Sequence, residues 1–439
     1  MPQRGQKLRR RWDKAASRAR RGVLALLMKL PGDNSDPAAL LKRFPNEALL
    51  PLRRNGVDPV PALRALRESA PVSKLKVPLG LRGWLVTGYE ESRAVLAAHH
   101  DTFSNDFGNM IGKVGIAAEQ DPGGLGFADP PAHSRLRHML TPHFTARALA
   151  LQEPRVRRII NDAIDDVANA GADGGTVDLQ KLFALQIPSR VIMELLGVDE
   201  TDRAEFHRLS TARFSVAGGA TSSLDTIQQS INLLKKVVSQ QRIDPGPGLI
   251  GSILTEYGDD IDDVELAGMA DGVLVGGLET TVSMLALGAV VLLEDREAWA
   301  SLHDSDDHVE RIVEELLRYL TVVQVGFPRF AVRDVTIGGK EMFSGDIVVC
   351  SLSASNRDAR QGPGLEQFDH TRPPTQHLAF GHGIHRCVGA ELARLELRMA
   401  YPALVRAFPE MKLAVEPARL NYRELSIVHG LEKLPVTLS

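Results

Sequence analysis

Phe380-Gly381-His382-Gly383-Ile384-His385-Arg386-Cys387-Val388-Gly389 is the stretch from which the fold of this chain is read. Three glycines and two histidines crowd a single cysteine, and an apolar, helix-forming run from Ala390 to Ala400 follows directly. Glycine lets a backbone take turns closed to other residues and come close to a flat ligand. A thiolate just before a helix start gains from the amides and the dipole there, which favour its charged form. One thiolate in such a loop suits a single axial bond to iron and not a four-ligand zinc site.

Working outward, Val275-Gly276-Gly277-Leu278-Glu279-Thr280-Thr281 lies inside a long apolar segment that starts near Asp262. Two adjacent glycines in mid-helix cost about 2 kcal/mol relative to alanine. Thr280 follows Gly276 by four residues, so its hydroxyl can bond that carbonyl and loosen the ladder. Such a place is either a groove for a polar ligand or a close crossing of two helices. Glu315 and Arg318, three apart, share one helix face and can pair. His133 and Arg137, four apart, do the same just after Asp129-Pro130-Pro131.

The pattern Phe-Gly-x-Gly-x-His-x-Cys-x-Gly, continued by Ala390, Leu392, Ala393 and Arg394, closely resembles the haem-ligand loop of the cytochrome P-450 family. The likeness extends from about residue 75 to 439 and has the character of the family's soluble bacterial members. It implies a mainly α fold with small β-sheets, with haem b between a long central helix and the cysteine loop, and Cys387 as the iron's thiolate ligand. By the same likeness, Thr280 holds a proton-donating hydrogen-bond network and Glu279 links it to bulk solvent. Gly276 departs mildly from the alanine common in the family. His133, Arg137, Arg329 and His385 would clamp the haem propionates, while Glu315, Arg318 and Arg372 would hold the region of the loop without taking part in the chemistry. The substrate pocket would be lined by Phe107, Met110, Ile111, Val273, Gly277, Gln324, Val325, Ile427 and Val428.

The bulk properties agree with a folded body: 44% of residues are hydrophobic and 24% charged. Cys350 sits in the strand-like run Asp346-Ile347-Val348-Val349-Cys350, where cysteine behaves as a small apolar residue. With Cys387 assigned to iron no disulfide framework remains, which fits a reducing, cytoplasmic setting. The net charge of −3 calls for no polyanionic partner such as nucleic acid. It hides an asymmetry, because residues 1–30 hold ten basic side chains against one acid. Leu8, Trp12, Ala15, Ala19, Val23, Leu26 and Leu30 place one apolar face on this arm. The arm is either a solvated tail or a helix that lies on an anionic membrane surface. Residues 1–37 read as this arm and a Pro/Gly/Asp linker, and residues 38–439 as one haem-binding domain.

Helical periodicity marks 91–98, 133–152, 154–169, 179–197, 225–241 and 262–294, with a further helix over Val309–Leu320. Strand signals are short: Trp84-Leu85-Val86, then 330–352 with a turn at Gly338-Gly339, then 426–438. The resemblance implies monooxygenation of a hydrophobic small molecule by O2, with electrons from a separate ferredoxin and ferredoxin reductase. A terpenoid, polyketide, fatty acid or cyclic peptide suits the pocket equally well. Two alternatives are a peroxide-driven haem enzyme and a non-catalytic member that activates a partner enzyme.

Overall fold

The computed structural model describes residues 47–77, 82–106, 125–198, 205–206, 208–209, 219–303 and 305–438. Its axis is the helix Asp263–Glu294. Asp262 caps it, accepting from the amides of Val264 and Glu265, both at 2.8 Å. By composition this helix is apolar enough to cross a membrane, yet 83% of its most apolar window is buried in protein. A helix apolar on all sides belongs in a core. The helices Gly219–Ile243, Gln186–Leu196, Asp306–Leu320 and Ala390–Ala407 pack round it. Their buried side chains merge into one large hydrophobic cluster with the central helix.

Two expected helices differ from a simple 3.6 repeat, and proline is the reason in both. The stretch 133–152 divides into Ala132–Leu140, a 3-10 turn at Thr141–Phe144 and Ala146–Ala150. Pro142 has no amide to continue the ladder, and Thr145 is extended and caps the next helix through Ala148 N. Within 179–197, a π turn at Gln180–Ala184 precedes the α-helix Gln186–Leu196. Pro188 cannot donate to Ala184, and Leu185 N bonds back to Gln180 O at 2.9 Å.

The main sheet has five strands: Val72–Lys76, Arg82–Val86, Ile347–Cys350, Arg329–Ala331 and Phe103–Ser104, in that spatial order. Ile347–Cys350 runs parallel to Arg82–Val86 and antiparallel to Arg329–Ala331. Between these last two segments in sequence lies a hairpin, Val335–Ile337 with Lys340–Met342. Its turn is Gly338-Gly339, both at positive φ (53° and 72°), as a two-residue hairpin loop demands. Of 426–438, only Pro435–Thr437 is a regular strand, paired with Lys412–Leu413 and Val177–Asp178. Cys350 is buried in its strand, and burial pushes its thiol up to about 11, so it is an inert packing residue. The architecture is mainly α with small sheets, as the sequence predicts.

Candidate active site

The cysteine loop is tied at both ends. Cys387 N donates to Phe380 O at 2.9 Å, and Arg386 N to Gly383 O at 3.0 Å. Gly383 takes φ 74°, and a Cβ there would lie 2.5 Å from the carbonyl of Leu96. Only glycine lets the loop approach the helix Tyr89–Ala97 this closely. Arg394, one turn into the following helix, stacks 4.7 Å from the Phe380 ring centre and pairs with Glu314 at 2.6 Å. Glu314 also binds His377 at 3.1 Å. Cys387 lines a cavity and is exposed to it, unlike the buried Cys350. Burial raises its pKa; the Gly389 amide and Arg137, Arg386 and Arg394 act in the opposite direction.

The cavity holds about 520 Å³. Across it from the loop, the central helix presents Val273, Gly276, Gly277, Thr280, Thr281 and Met284. The Thr280 hydroxyl donates to Gly276 O at 2.6 Å, the bond expected from their spacing. The two glycines do different work. A Cβ on Gly276 would meet no atom within 4 Å, whereas one on Gly277 would come 2.7 Å from Ile192 Cδ1. Gly276 therefore opens the groove and Gly277 permits the helix crossing, so both readings of the pair hold, one for each residue.

Four groups that can carry positive charge gather on one side. The rings of His133 and His385 meet at a tilt of 55°, with centres 4.3 Å apart. Arg137 donates to the carbonyl of Arg386 at 2.7 Å. Arg329 donates to Phe327 O at 3.1 Å and to Asn105 Oδ1. Asp129 fixes Asn105 in turn, accepting from its amide at 3.0 Å. Burial, then Arg329, His133 and Arg137, push the His385 imidazole down to about 3. His133 is lowered by burial and by Arg137, and its Nε2 is buried without a hydrogen-bond partner. Among the described residues, none of the four lies within ion-pair distance of a carboxylate. An anionic ligand would meet every one of these needs.

Glu315, Arg318 and Arg372 also come together. Arg318 grips Glu315 with two bonds of 2.7 Å, and Arg372 Nε reaches Glu315 Oε1 at 3.1 Å. The remaining Arg318 donors go to the carbonyls of Asn356, Leu365 and Gln367. This cluster lies apart from the cavity wall.

Three expectations are corrected or fall outside the described residues. Glu279 neither lines the cavity nor meets solvent. It is wholly buried and paired with Arg423 at 2.5 Å, because one step along a helix turns a side chain by about 100° from Thr280. Arg423 in turn lies 3.7 Å from the exposed Glu432. Gln324 does not line the pocket either. On an extended backbone Val323 and Val325 face the cavity and Gln324 faces away. Its amide binds Arg54 Nε at 2.8 Å and Ser426 O at 2.7 Å. Phe107, Met110 and Ile111 lie outside the described residues, as does the arm 1–37. Val273, Gly277, Val325, Ile427 and Val428 all line the cavity. Ile192, Phe144, Pro51, Leu52 and Arg423 join the site only through tertiary packing, and no local pattern marks them.

The chain is 36% identical over 412 residues to Cytochrome P450 165C4 of Amycolatopsis orientalis, covering 92% of this chain and 100% of that one. Residues 225–424 match the family model described as Cytochrome P450. The chain belongs to the cytochrome P450 family. It is likewise 36% identical to Mycinamicin IV hydroxylase/epoxidase of Micromonospora griseorubida, covering 84% of this P450 and 93% of that enzyme. A solved complex of the X-domain and OxyB from teicoplanin biosynthesis matches with a TM-score of 0.77 at 37% identity, covering 88% of this chain and 99% of that chain. This P450 is accordingly a haem-thiolate monooxygenase that places one atom of dioxygen in an organic substrate. Members of the family carry haem. The residues here fit that group: a single thiol, a groove opened by glycine, apolar walls, and four cation-capable side chains without a carboxylate in ion-pair reach, of which Arg329 and His385 line the cavity.

Proposed function

We propose that this P450 hydroxylates or epoxidises a bulky, largely apolar natural product of secondary metabolism, and that the Cys387 thiolate would hold the haem iron. The observation that carries the reading is that Cys387 and Thr280 belong to different walls of one cavity. Haem b, when bound, supplies the iron that binds dioxygen and accepts the electrons needed to activate it. Arg137, Arg329, His133 and His385 hold the two propionates by charge-assisted hydrogen bonds. Val273, Val325, Ile427 and Val428 exclude water and orient the substrate by apolar contact. The Thr280 hydroxyl, anchored on Gly276 O, holds a proton-carrying water in the groove. Retention of Thr280 supports dioxygen over peroxide as the oxidant.

Similarity to Mycinamicin IV hydroxylase/epoxidase and to OxyB from teicoplanin biosynthesis supports a substrate drawn from secondary metabolism. A ferredoxin with its reductase is the electron donor, and the cytoplasm its setting. Thr280→Ala tests the mechanism. It should keep the carbon monoxide band of thiolate haem while product per NAD(P)H falls, by up to about 10²-fold, and peroxide accumulates. Equal coupling in variant and parent would remove Thr280 from the proton path.

A further inference from the structure

Part of the cavity wall is assembled from three segments that lie far apart in sequence, represented by Leu52, by Val323 with Val325, and by Ile427 with Val428. No continuous strand joins them. Val323 pairs with Val428, and Val325 with Ser351, only as single antiparallel bridges. Between those two bridges, behind the wall, sits Gln324, which is wholly buried. Its backbone amide donates to Ile427 O at 3.0 Å.

The side chain of Gln324 reaches the other segments as well. Nε2 donates to Ser426 O at 2.7 Å and to Leu52 O at 3.2 Å, while Oε1 accepts from Arg54 Nε at 2.8 Å. A guanidinium has donors and no acceptor, so Arg54 fixes which end of the amide faces it. The two N–H groups are thereby left for the carbonyls of Ser426 and Leu52. Arg54 is itself tied to Val57 O at 2.9 Å and to Leu320 O and Thr321 O, both at 3.0 Å.

The backbone points to the same place independently. Among the described residues, Thr321 (φ 40°) and Leu425 (φ 49°) are the only ones other than glycine at positive φ. For a residue as bulky as leucine this conformation is strained, and it persists only where the surroundings hold it. Leu425 directly precedes Ser426, whose carbonyl Gln324 grips, and the Thr321 carbonyl is gripped by Arg54. A strained residue therefore stands at each end of the staple, and one of them leads straight into Ile427 and Val428.

We propose that Gln324 is a positioning residue for the substrate. Without touching the substrate, it sets the spacing of the wall segments that carry Leu52, Val323, Val325, Ile427 and Val428. That spacing fixes how a bulky apolar molecule lies in the cavity. This rests on the reading of the cavity as the haem and substrate site.

The test uses the haem-loaded protein and two probes that bind haem iron through an imidazole nitrogen: imidazole itself and 4-phenylimidazole. Binding is followed by the shift of the haem band. The phenyl ring must fit between the walls, whereas imidazole is too small to need them, so the parent should bind 4-phenylimidazole more tightly. Gln324→Met keeps the size of the side chain and loses its three hydrogen bonds. Its preference for 4-phenylimidazole should fall by about 5- to 10-fold, the weight of one hydrogen bond, with imidazole affinity unchanged. Gln324→Glu still satisfies Arg54 but turns an oxygen on the carbonyls of Ser426 and Leu52, and the preference should fall as far. A residue that served only to satisfy Arg54 would keep the parent's preference in Gln324→Glu. The proposal is overturned if the parent does not prefer 4-phenylimidazole, a result that needs no variant to fold. It is equally overturned if either variant keeps or exceeds the parent's preference, or loses affinity for both probes alike. A parent that takes up no haem would overturn the reading of the cavity instead, and its reduced carbon monoxide spectrum shows this separately.

Discussion

Two clusters of charge in this P450 look alike in composition and differ in balance. In one, Glu315 accepts from Arg318 and Arg372, and every donor of Arg318 ends on an oxygen. In the other, His133, Arg137, Arg329 and His385 crowd together with no carboxylate in ion-pair reach, and Arg329, His133 and Arg137 all lower the pKa of His385. A buried charge is tolerated when it is paired and hydrogen-bonded. The first cluster is therefore complete within the chain and serves the scaffold. The second is electrostatically unfinished within the chain and matches a dianionic ligand.

Breaking the first cluster should have the largest effect. Glu315→Ala leaves the guanidinium of Arg318 buried without its carboxylate, and should cost about 3–5 kcal/mol of stability. Thermal or denaturant unfolding checks this, and a stability within about 1 kcal/mol of the parent would show that the cluster does not hold the fold. Arg329→Met probes the second cluster and should behave in the opposite way. It removes an uncompensated buried cation, so the unfolding midpoint of the apoprotein should stay level or rise. Haem affinity should nonetheless fall by about 10- to 100-fold, the weight of one strong charge-assisted bond. A variant that loses apoprotein stability and binds haem as the parent does would erase the contrast. The smallest change is expected for Arg137→Lys, which keeps the charge but not the fork geometry, and should weaken haem retention only a few-fold.

The parts of this site that were legible in the sequence are those written in short-range pattern. The Gly-rich loop round Cys387, the four-residue step from Gly276 to Thr280, and the three-residue step from Glu315 to Arg318 each become the local geometry they suggest. The Gly338-Gly339 hairpin and the central helix followed for the same reason. What could not be read depends on which way a side chain points once the chain is packed. Gln324 alternates with Val323 and Val325, and one step along the backbone decides between the pocket and the polar staple to Arg54. Glu279 finds Arg423, which is 144 residues away in sequence. Proline, too, acted locally in ways that periodicity conceals, at Pro142 and Pro188.

The central claim is that the iron of haem in this cavity is ligated by the sulfur of Cys387 and by no other residue of the chain. The measurement that tests it most directly is the carbon monoxide difference spectrum of the reduced protein, parent against Cys387→His. The parent should give the band of thiolate-ligated haem, and the variant should bind haem with a band shifted to the position of histidine ligation and form no oxygenated product. A thiolate-type band that persists in Cys387→His would contradict the account.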